Sequence, residues 1–327
     1  MTARSAGIRR RTRIGTRLLA MVAVGALGLG AVHQSASADG KAAPRARSPF
    51  TGLAARQGPV LAVKFDNARS ARPHTGIAQA DIVYVEKVEG GVSRLMGVYS
   101  SRLPKTLGPV RSARESDVEL LRQFGRPALA YSGVRSSLTK MLRESPLHTR
   151  PHARIPGAYF RSARRPAPHD LFVRPKSVLS SAPKASLPTD IGFRFGPAPA
   201  GGSPAKKRTV RYSSASHTFR WSHRQGRWLA SFDGVPARTT SGARLGAKTI
   251  VIQYVGMPPS RYKDVTGAAT PYIKTVGSGR ATVLRNGKAY RTRWERSKAT
   301  GGTSFTRPDG SRMPFARGQV WMVYAGR

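Results

Sequence analysis

The sequence contains no cysteine and few acidic residues, and each shortage excludes a class of site. Without cysteine, the chain has no disulfides, no thiolate metal sites and no lipid-bearing cysteine after a signal sequence. The chain has 57 Lys and Arg against 15 Asp and Glu, which gives a formal net charge of +42. A field of this size attracts polyanions, so anionic lipid headgroups, phosphate-bearing wall polymers and nucleic acid are the partner classes to consider.

Several catalytic signatures are also missing from the sequence. It has no G-x-S-x-G elbow, Walker loop, H-E-x-x-H motif or Rossmann fingerprint. His148 and His152 have the i, i+4 spacing of two metal ligands on a helix, but Pro151 between them disfavours a regular helix. The sequence therefore predicts no metal site, and it leaves catalytic residues and cofactors unassigned.

Residues 1–38 have the order of a cleavable signal peptide. Arginines precede an uncharged run at 18–32, which is shorter than the ~20 residues of a spanning helix. The A-x-A pattern Ala36-Ser37-Ala38 follows it. We expect a secreted, extracytoplasmic protein associated with the cell envelope, and an uncut N-terminal anchor is the alternative. Cleavage would leave a net charge of +36, so attachment to the envelope would depend on charge and not on a lipid.

The rest of the chain is predicted to be an α+β protein in two parts. Residues 39–57 contain few large apolar side chains and are predicted to be a flexible leader. Strand-like and helix-like runs alternate over 58–180, which indicates a mixed α/β N-terminal domain. Residues 181–208 are rich in Ala, Pro, Gly and Ser and are predicted to be a linker. Residues 209–327 show mainly strand patterns and predict a β-rich C-terminal domain, in which Asn286-Gly287 between two strand runs predicts a hairpin.

Three local patterns place the polar residues of the first part. Residues 59–65 (PVLAVKF) are an apolar run typical of a buried strand, and Asp66-Asn67 follows it. Residues 81–88 and 92–100 flank Gly90-Gly91 and predict a β-hairpin. Residues 108–114 lead into a predicted helix, with Ser112 and Glu115 or Ser116 and Glu119 as a capping box.

Polar side chains at the ends of these elements are the candidate site, because binding residues concentrate there. Arginines before a helix favour an anion site. The carboxylates could act as acid and base, or they could be paired with basic neighbours such as Lys64, Arg72 and Arg94. The candidate ligand-binding residues are Asp66, Asn67, Arg72, Glu86, Glu89, Arg111, Ser112, Arg114 and His169.

An ordered set of motifs resembles a known family. The motifs are 63–67 (VKFDN), 71–73 (ARP), 80–84 (ADIVY), 88–91 (VEGG), 108–114 (GPVRSAR), 168–172 (PHDLF), 275–279 (TVGSG) and 318–321 (GQVW). Together they are similar to the YerB-like family of bacterial exported proteins over roughly residues 58–325. The resemblance implies an envelope protein with two linked parts, and it implies no reaction. Many members resemble lipoproteins, whereas this chain lacks the cysteine, and Asp170 stands where the family has Asn.

Three functions remain open on the sequence alone. The first is binding of an anionic envelope ligand, a cell-wall polymer or a membrane surface, with nucleic acid as a non-specific partner. The second is a hydrolase of a wall glycan or phosphodiester, in which Asp66, Glu86 or Glu89 is the acid or base and Arg111 and Arg114 hold the anion. The third is a structural envelope scaffold. The sequence does not indicate an oligomeric state.

Overall fold

The computed structural model describes residues 46–263 and 267–327. The signal peptide predicted for residues 1–38, and the first part of the predicted leader, lie outside the described residues. The fold is mainly β, with 41% strand and 13% helix. It is therefore an α+β fold with less helix than a mixed α/β N-terminal domain implies, because the helices are short.

Short helices and many strands make up the described part of the chain. The α-helices are α1 (Glu115–Leu121), α2 (Ser136–Glu144) and α3 (Pro175–Ser180). The strands are β1 (Leu61–Asp66), β2 (Ile82–Lys87), β3 (Ser93–Tyr99), β4 (Ala128–Tyr131), β5 (His148–Pro151), β6 (Tyr159–Arg161), β7 (Leu171–Val173), β8 (Ser203–Pro204), β9 (Lys207–Arg211), β10 (Ser216–Ser222), β11 (Arg227–Phe232), β12 (Val235–Pro236), β13 (Gly246–Ala247), β14 (Thr249–Val255), β15 (Pro259–Lys263), β16 (Ala269–Pro271), β17 (Gly277–Arg285), β18 (Lys288–Arg296), β19 (Ser304–Thr306) and β20 (Val320–Gly326).

Within the described residues, eleven strands form one mixed central sheet. Its order is β19-β18-β17-β14-β20-β2-β3-β1-β4-β5, with β8 paired to β18. The strands of residues 58–180 and those of residues 209–327 meet at β2 and β20, which run parallel with Ile82 opposite Val320. The segments predicted as two domains therefore contribute to the same hydrogen-bonded sheet.

Two predicted hairpins are confirmed. β2 and β3 pair antiparallel across the turn that contains Gly90 and Gly91. β17 and β18 pair antiparallel across Asn286 and Gly287, which have φ of 49° and 72°. A two-residue type I′ turn requires positive φ at both central positions, and Asn-Gly is the dipeptide that best tolerates them.

Apolar side chains cover both faces of the central sheet. On one face, a small sheet of order β12-β11-β10-β9, with β13 paired to β11, packs against Trp321 through Phe219 and Phe232. On the other face, α1 and the turn after it bury Leu120, Leu121 and other apolar side chains. Both faces are apolar because the strands that cross the middle of the sheet have no solvent-facing side.

The described part of the leader and the predicted linker both pack against the core. Phe50 is fully buried and makes an edge contact with Phe124 at 5.2 Å between ring centroids. In the linker, Ile191 is fully buried, and Arg285 donates hydrogen bonds to the carbonyls of Gly196 and Pro197. Composition predicts flexibility for both segments, but a few apolar anchors and backbone carbonyls hold them in place.

Candidate functional site

Three charged side chains from neighbouring strands form one row across the sheet. Arg94 on β3 lies opposite Asp66, the last residue of β1, and opposite Glu86, near the end of β2. Directly paired residues point to the same face of a sheet. The carboxyl ends of β1 and β2 therefore meet the start of β3 at a polar edge of the face that α1 covers.

Asp66 is the centre of the first cluster. Its Oδ2 lies 2.8 Å from Nδ1 of His169 and 3.3 Å from Nε of Arg111. The backbone N–H of Ala68 donates to Oδ1 at 3.1 Å. Burial alone would raise the pKa of Asp66, but the bonds from Ala68 and His169 and the Arg111 charge lower it overall. Asp66 is therefore a carboxylate that orients a histidine and an arginine.

Glu86 belongs to a second, fully buried cluster. Lys64 on β1 donates to Glu86 and, at 2.9 Å, to Oδ1 of Asp117 in α1. Two acids share one lysine, so burial and the Asp117 charge raise the pKa of Glu86 despite the attraction of Lys64. Because Glu86 is held inside this cluster, it contributes to the packing of α1 on the sheet and does not line the nearby cleft.

Glu89 and Arg114 form a third pair beside the first two. The Arg114 guanidinium donates to both oxygens of Glu89, at 2.5 and 2.7 Å. Thr270 also donates to Glu89, and these bonds lower the pKa of Glu89 although burial opposes them. The predicted capping box is wrong: Arg114 is the N-cap of α1, and its backbone N–H donates to Asp117. Ser116 and Glu119 instead bind the backbone N–H groups of Ile273 and Thr275.

Asn67 and Arg72 face a different part of the molecule. Arg72 donates to the side-chain and backbone oxygens of Asn67, at 3.2 and 2.7 Å, and forms an ion pair of 2.9 Å with Asp233. The Arg72 guanidinium also lies over the ring of Phe232. These contacts tie the loop after β1 to the small sheet, so this predicted pair connects the two halves of the chain.

A cleft of about 410 Å³ opens beside these clusters. The C-terminal half contributes Ser260, Tyr262, Lys263 and Thr270 to its wall. Five basic and two acidic side chains line it, namely Arg94, Arg111, Arg114, Arg135 and Lys263, with Glu89 and Glu115. The cleft is therefore net positive, and both halves of the chain build it.

Arg94 differs from the other arginines of the cleft. Among the described residues it forms no ion pair, and its hydrogen bond is a 3.5 Å contact from Nη1 to the carbonyl of Ser112. Burial and the neighbouring Arg114 charge lower the pKa of Arg94 to about 10. A guanidinium stays protonated at that value, so the cleft wall carries a partly buried positive charge that no carboxylate of the described chain binds directly.

The structure brings together part of the predicted site. Glu89, Arg111, Ser112 and Arg114 line the cleft. Asp66 and His169 adjoin it through Arg111, whose Nη1 also lies 3.5 Å from the carbonyl of Pro168. Glu86, Asn67 and Arg72 are engaged elsewhere.

Sequence reasoning treated Arg94 as a salt-bridge neighbour and missed it as a site residue. The alternation of residues along β3 could have indicated it. Arg94 lies on the same face as the buried Met96 and Val98, so it is a charged residue on an otherwise apolar face of the strand.

Residues 46–263 and 267–327 contain neither a metal-binding cluster nor a membrane-spanning helix. No group of three or more His, Cys, Asp or Glu in these ranges could hold a metal ion. None of the helices there is long and apolar enough to cross a membrane.

Asp170 is the residue at which the family resembled by the motifs has Asn. It accepts a 2.7 Å hydrogen bond from Arg161 across the β6–β7 pair.

Comparison with known proteins identifies the family. Models described as the N-terminal and C-terminal domains of a protein of unknown function (DUF3048) match residues 50–188 and 208–322. The chain belongs to the YerB-like family. A YerB-like relative, "Putative lipoprotein YerB" of Bacillus subtilis (strain 168), is 24% identical over 294 residues, which is 86% of each chain.

A solved structure of the YerB-like family has the same fold. The crystal structure of the YerB protein from Bacillus subtilis has a TM-score of 0.74 to this chain at 22% identity. The match covers 86% of this chain and 96% of that one. At this coverage, the likeness includes both halves of the chain.

Proposed function

We propose that this chain is an extracytoplasmic, envelope-associated protein whose cleft binds an anionic group of an envelope ligand. The name of the Bacillus subtilis relative describes a lipoprotein, which is an envelope class. The predicted signal peptide and the net charge of +42 support the same location and the same class of partner. A wall polymer or an anionic membrane surface would supply the anionic group.

The Arg94 guanidinium, which forms no ion pair among the described residues, carries this proposal. Lys64 and Arg114 each bind a carboxylate, and Arg111 contacts Asp66. Arg94 faces the cleft with no acid in direct contact, and the charges of Asp66 and Glu89 act on it only from a distance. A partly buried charge is costly unless it is paired, and a bound anion would supply the missing partner.

The geometry around Arg94 suits a phosphate or a carboxylate. Guanidinium groups bind the oxygens of either anion through paired N–H donors. The hydroxyls of Ser112 and Ser132, which are 3.5 Å apart, add neutral donors at the same wall. A volume of about 410 Å³ lies within the range of small-molecule sites, so a single charged unit of a polymer fits.

Titration calorimetry with inorganic phosphate and with acetate tests the cleft. We expect Arg94→Met to weaken anion binding at least tenfold, or about 1.4 kcal/mol. Arg56→Met is the matched control, because Arg56 is exposed and makes no side-chain bond among the described residues. Equal weakening in both variants would show that surface charge binds the anion, and no binding by the wild type would overturn the proposal.

The contact between His169 and Asp66 favours the hydrolase as a second candidate. A carboxylate on Nδ1 leaves Nε2 of the imidazole available for proton transfer. This arrangement differs from the carboxylate pair expected from the sequence, because Glu86 is bound to Lys64 and Glu89 to Arg114. Turnover of bis(4-nitrophenyl) phosphate that disappears in His169→Gln would favour hydrolysis, and absence of turnover leaves binding.

A further inference from the structure

The small sheet has an outer face whose residues are exposed or half-buried in the described structure. Strand residues alternate between two faces, and most inner positions of β9, β10 and β11 are buried against the central sheet, with Arg208 exposed near the start of β9. The outer positions form what we call the outer face. Its residues are Lys207, Thr209, Arg211, Ser216, Thr218, Arg220, Ser222, Arg227, Leu229 and Ser231.

Three cations of the outer face have no counter-charge. Lys207 lies directly opposite Arg220, and both are exposed, as is Arg211 at the end of β9. None of these three side chains makes a hydrogen bond or an ion pair among the described residues. Like charges directly opposite each other destabilise a sheet, so an external anion is the partner that this arrangement fits.

Hydroxyl groups fill the centre of the outer face. Thr209 lies opposite Thr218 with 2.9 Å between their hydroxyl oxygens, and Ser216 and Ser231 stand on either side. The nearest acid along these strands, Asp233, follows β11 and is paired with Arg72. The face is thus rich in neutral hydrogen-bond donors and has no acid at its strand positions, with cations toward its edges.

The chemistry of the outer face distinguishes between two kinds of phosphate polymer. Proteins that bind single-stranded nucleic acid stack the bases on aromatic side chains. The aromatic residues of β10 and β11 occupy inner positions: Phe219 and Trp228 are buried, and Trp221 is half-buried against the same core. The outer face can therefore contact phosphate groups and hydroxyls but offers no ring for a base.

We propose that the outer face binds a linear phosphodiester polymer without bases, of the poly(glycerol phosphate) class. Lys207, Arg211 and Arg220 neutralise phosphates, and the Thr and Ser hydroxyls contact the backbone between them. This site extends the proposed envelope function to a second surface, in the C-terminal half. It does not depend on Arg94, so either site can fail without the other.

A salt titration of poly(glycerol phosphate) binding to the full chain tests this site. The test variant combines Lys207→Gln, Arg211→Gln and Arg220→Gln. We expect affinity near 0.1 M salt to fall about tenfold or more, and the slope of log affinity against log salt to decrease by about three, or one for each phosphate contact.

The matched control combines Arg56→Gln, Arg102→Gln and Lys105→Gln, which removes the same charge from exposed positions of the N-terminal half. We expect it to lose less than about threefold in affinity, through the long-range field alone. Circular dichroism checks that both variants fold. Equal losses in the two variants would overturn the site in favour of net charge alone.

Two further measurements separate this site from its alternatives. Oligothymidylate that binds the outer face as tightly as poly(glycerol phosphate) would overturn the assigned polymer. The outer-face substitutions are expected to lower polymer affinity by the same factor in Arg94→Met as in the wild type. The outer-face variant is expected to leave phosphate binding in the cleft unchanged, and a loss there would contradict two independent sites.

Discussion

Residues 58–180 and residues 209–327 contain the same number of basic residues but use them differently. Each segment has 21 lysines and arginines, while the first has nine acids and the second has four. In the first segment, buried or partly buried cations such as Lys64 and Arg114 bind carboxylates. In the second, the buried Arg285 and Arg296 bind backbone carbonyls, and many other cations are exposed.

This difference shows where an external anion is needed. A cation that binds a carboxylate or several carbonyls is satisfied within the protein, and its removal should cost stability. Arg94 and the unpaired cations of the outer face lack such partners, and their removal should cost binding. Substituting cations that are bound within the protein and cations that are not tests this distinction. The largest expected effect on stability comes from the buried Lys64.

Lys64→Met should destabilise the protein most. It leaves Glu86 and Asp117 buried without their cation, and breaking a buried ion pair costs about 3–5 kcal/mol. Urea unfolding at pH 8 measures the loss. Lys87→Met is the matched control, because Lys87 ends the neighbouring strand and makes no side-chain bond among the described residues. A similar loss in both variants would contradict the role of the cluster.

The cost of Lys64→Met should also depend on pH. Glu86 has an ordinary pKa of 4.5 that rises to about 7 in the fold, so the folded state retains a proton that the unfolded state has lost. Stability from this group therefore falls as pH rises from about 4.5 to 7. Without Lys64 the pKa of Glu86 rises further, and we expect the loss at pH 5 to be smaller than at pH 8. Burial lowers the pKa of His74 and His217, so stability from these two groups rises with pH. We expect that contribution to be the same in the wild type and in Lys64→Met.

Arg296→Met should lower the free energy of unfolding by about 2–3 kcal/mol, and this loss should change little between pH 5 and pH 8. Arg296 donates to the carbonyls of Glu119 and Gly301, at 2.8 and 3.1 Å, and these acceptors do not titrate. Urea unfolding at both pH values measures the effect. Arg293→Met, on the exposed side of the same strand, is expected to have little effect. A pH-dependent loss in Arg296→Met would remove the contrast with Lys64.

Arg220→Thr should have the smallest effect on stability, and it should stabilise the protein. It removes the like charge opposite Lys207, and we expect the free energy of unfolding to rise by about 0.2–1 kcal/mol at low salt. The gain should disappear near 1 M salt, where screening is strong. Thermal unfolding of Arg208→Thr provides the control, because Arg208 lies opposite the uncharged Phe219. A loss of stability on Arg220→Thr would show that the outer-face cation has a partner within the protein.

Part of the fold and of the site could be predicted from local patterns. The strand before Asp66, the hairpin around Gly90-Gly91 and the Asn286-Gly287 turn depend on neighbouring residues, and all three are found. The positions of Arg111 and Arg114 before a helix follow from the same local order. The role of Arg94 could not be predicted locally, because its lack of a direct ion pair depends on where distant residues fold.

The sequence by itself determined the charge excess, the absence of cysteine chemistry and the periodicity of the main strands. These properties are set by composition and by side chains a few residues apart. Only the tertiary structure decided that β2 and β20 join the two halves in one sheet, that Glu86 is bound by Lys64, and that Arg94 has no acidic partner. Pairing of charges is a matter of a few ångströms between residues far apart in the chain, so charge counts alone cannot specify it.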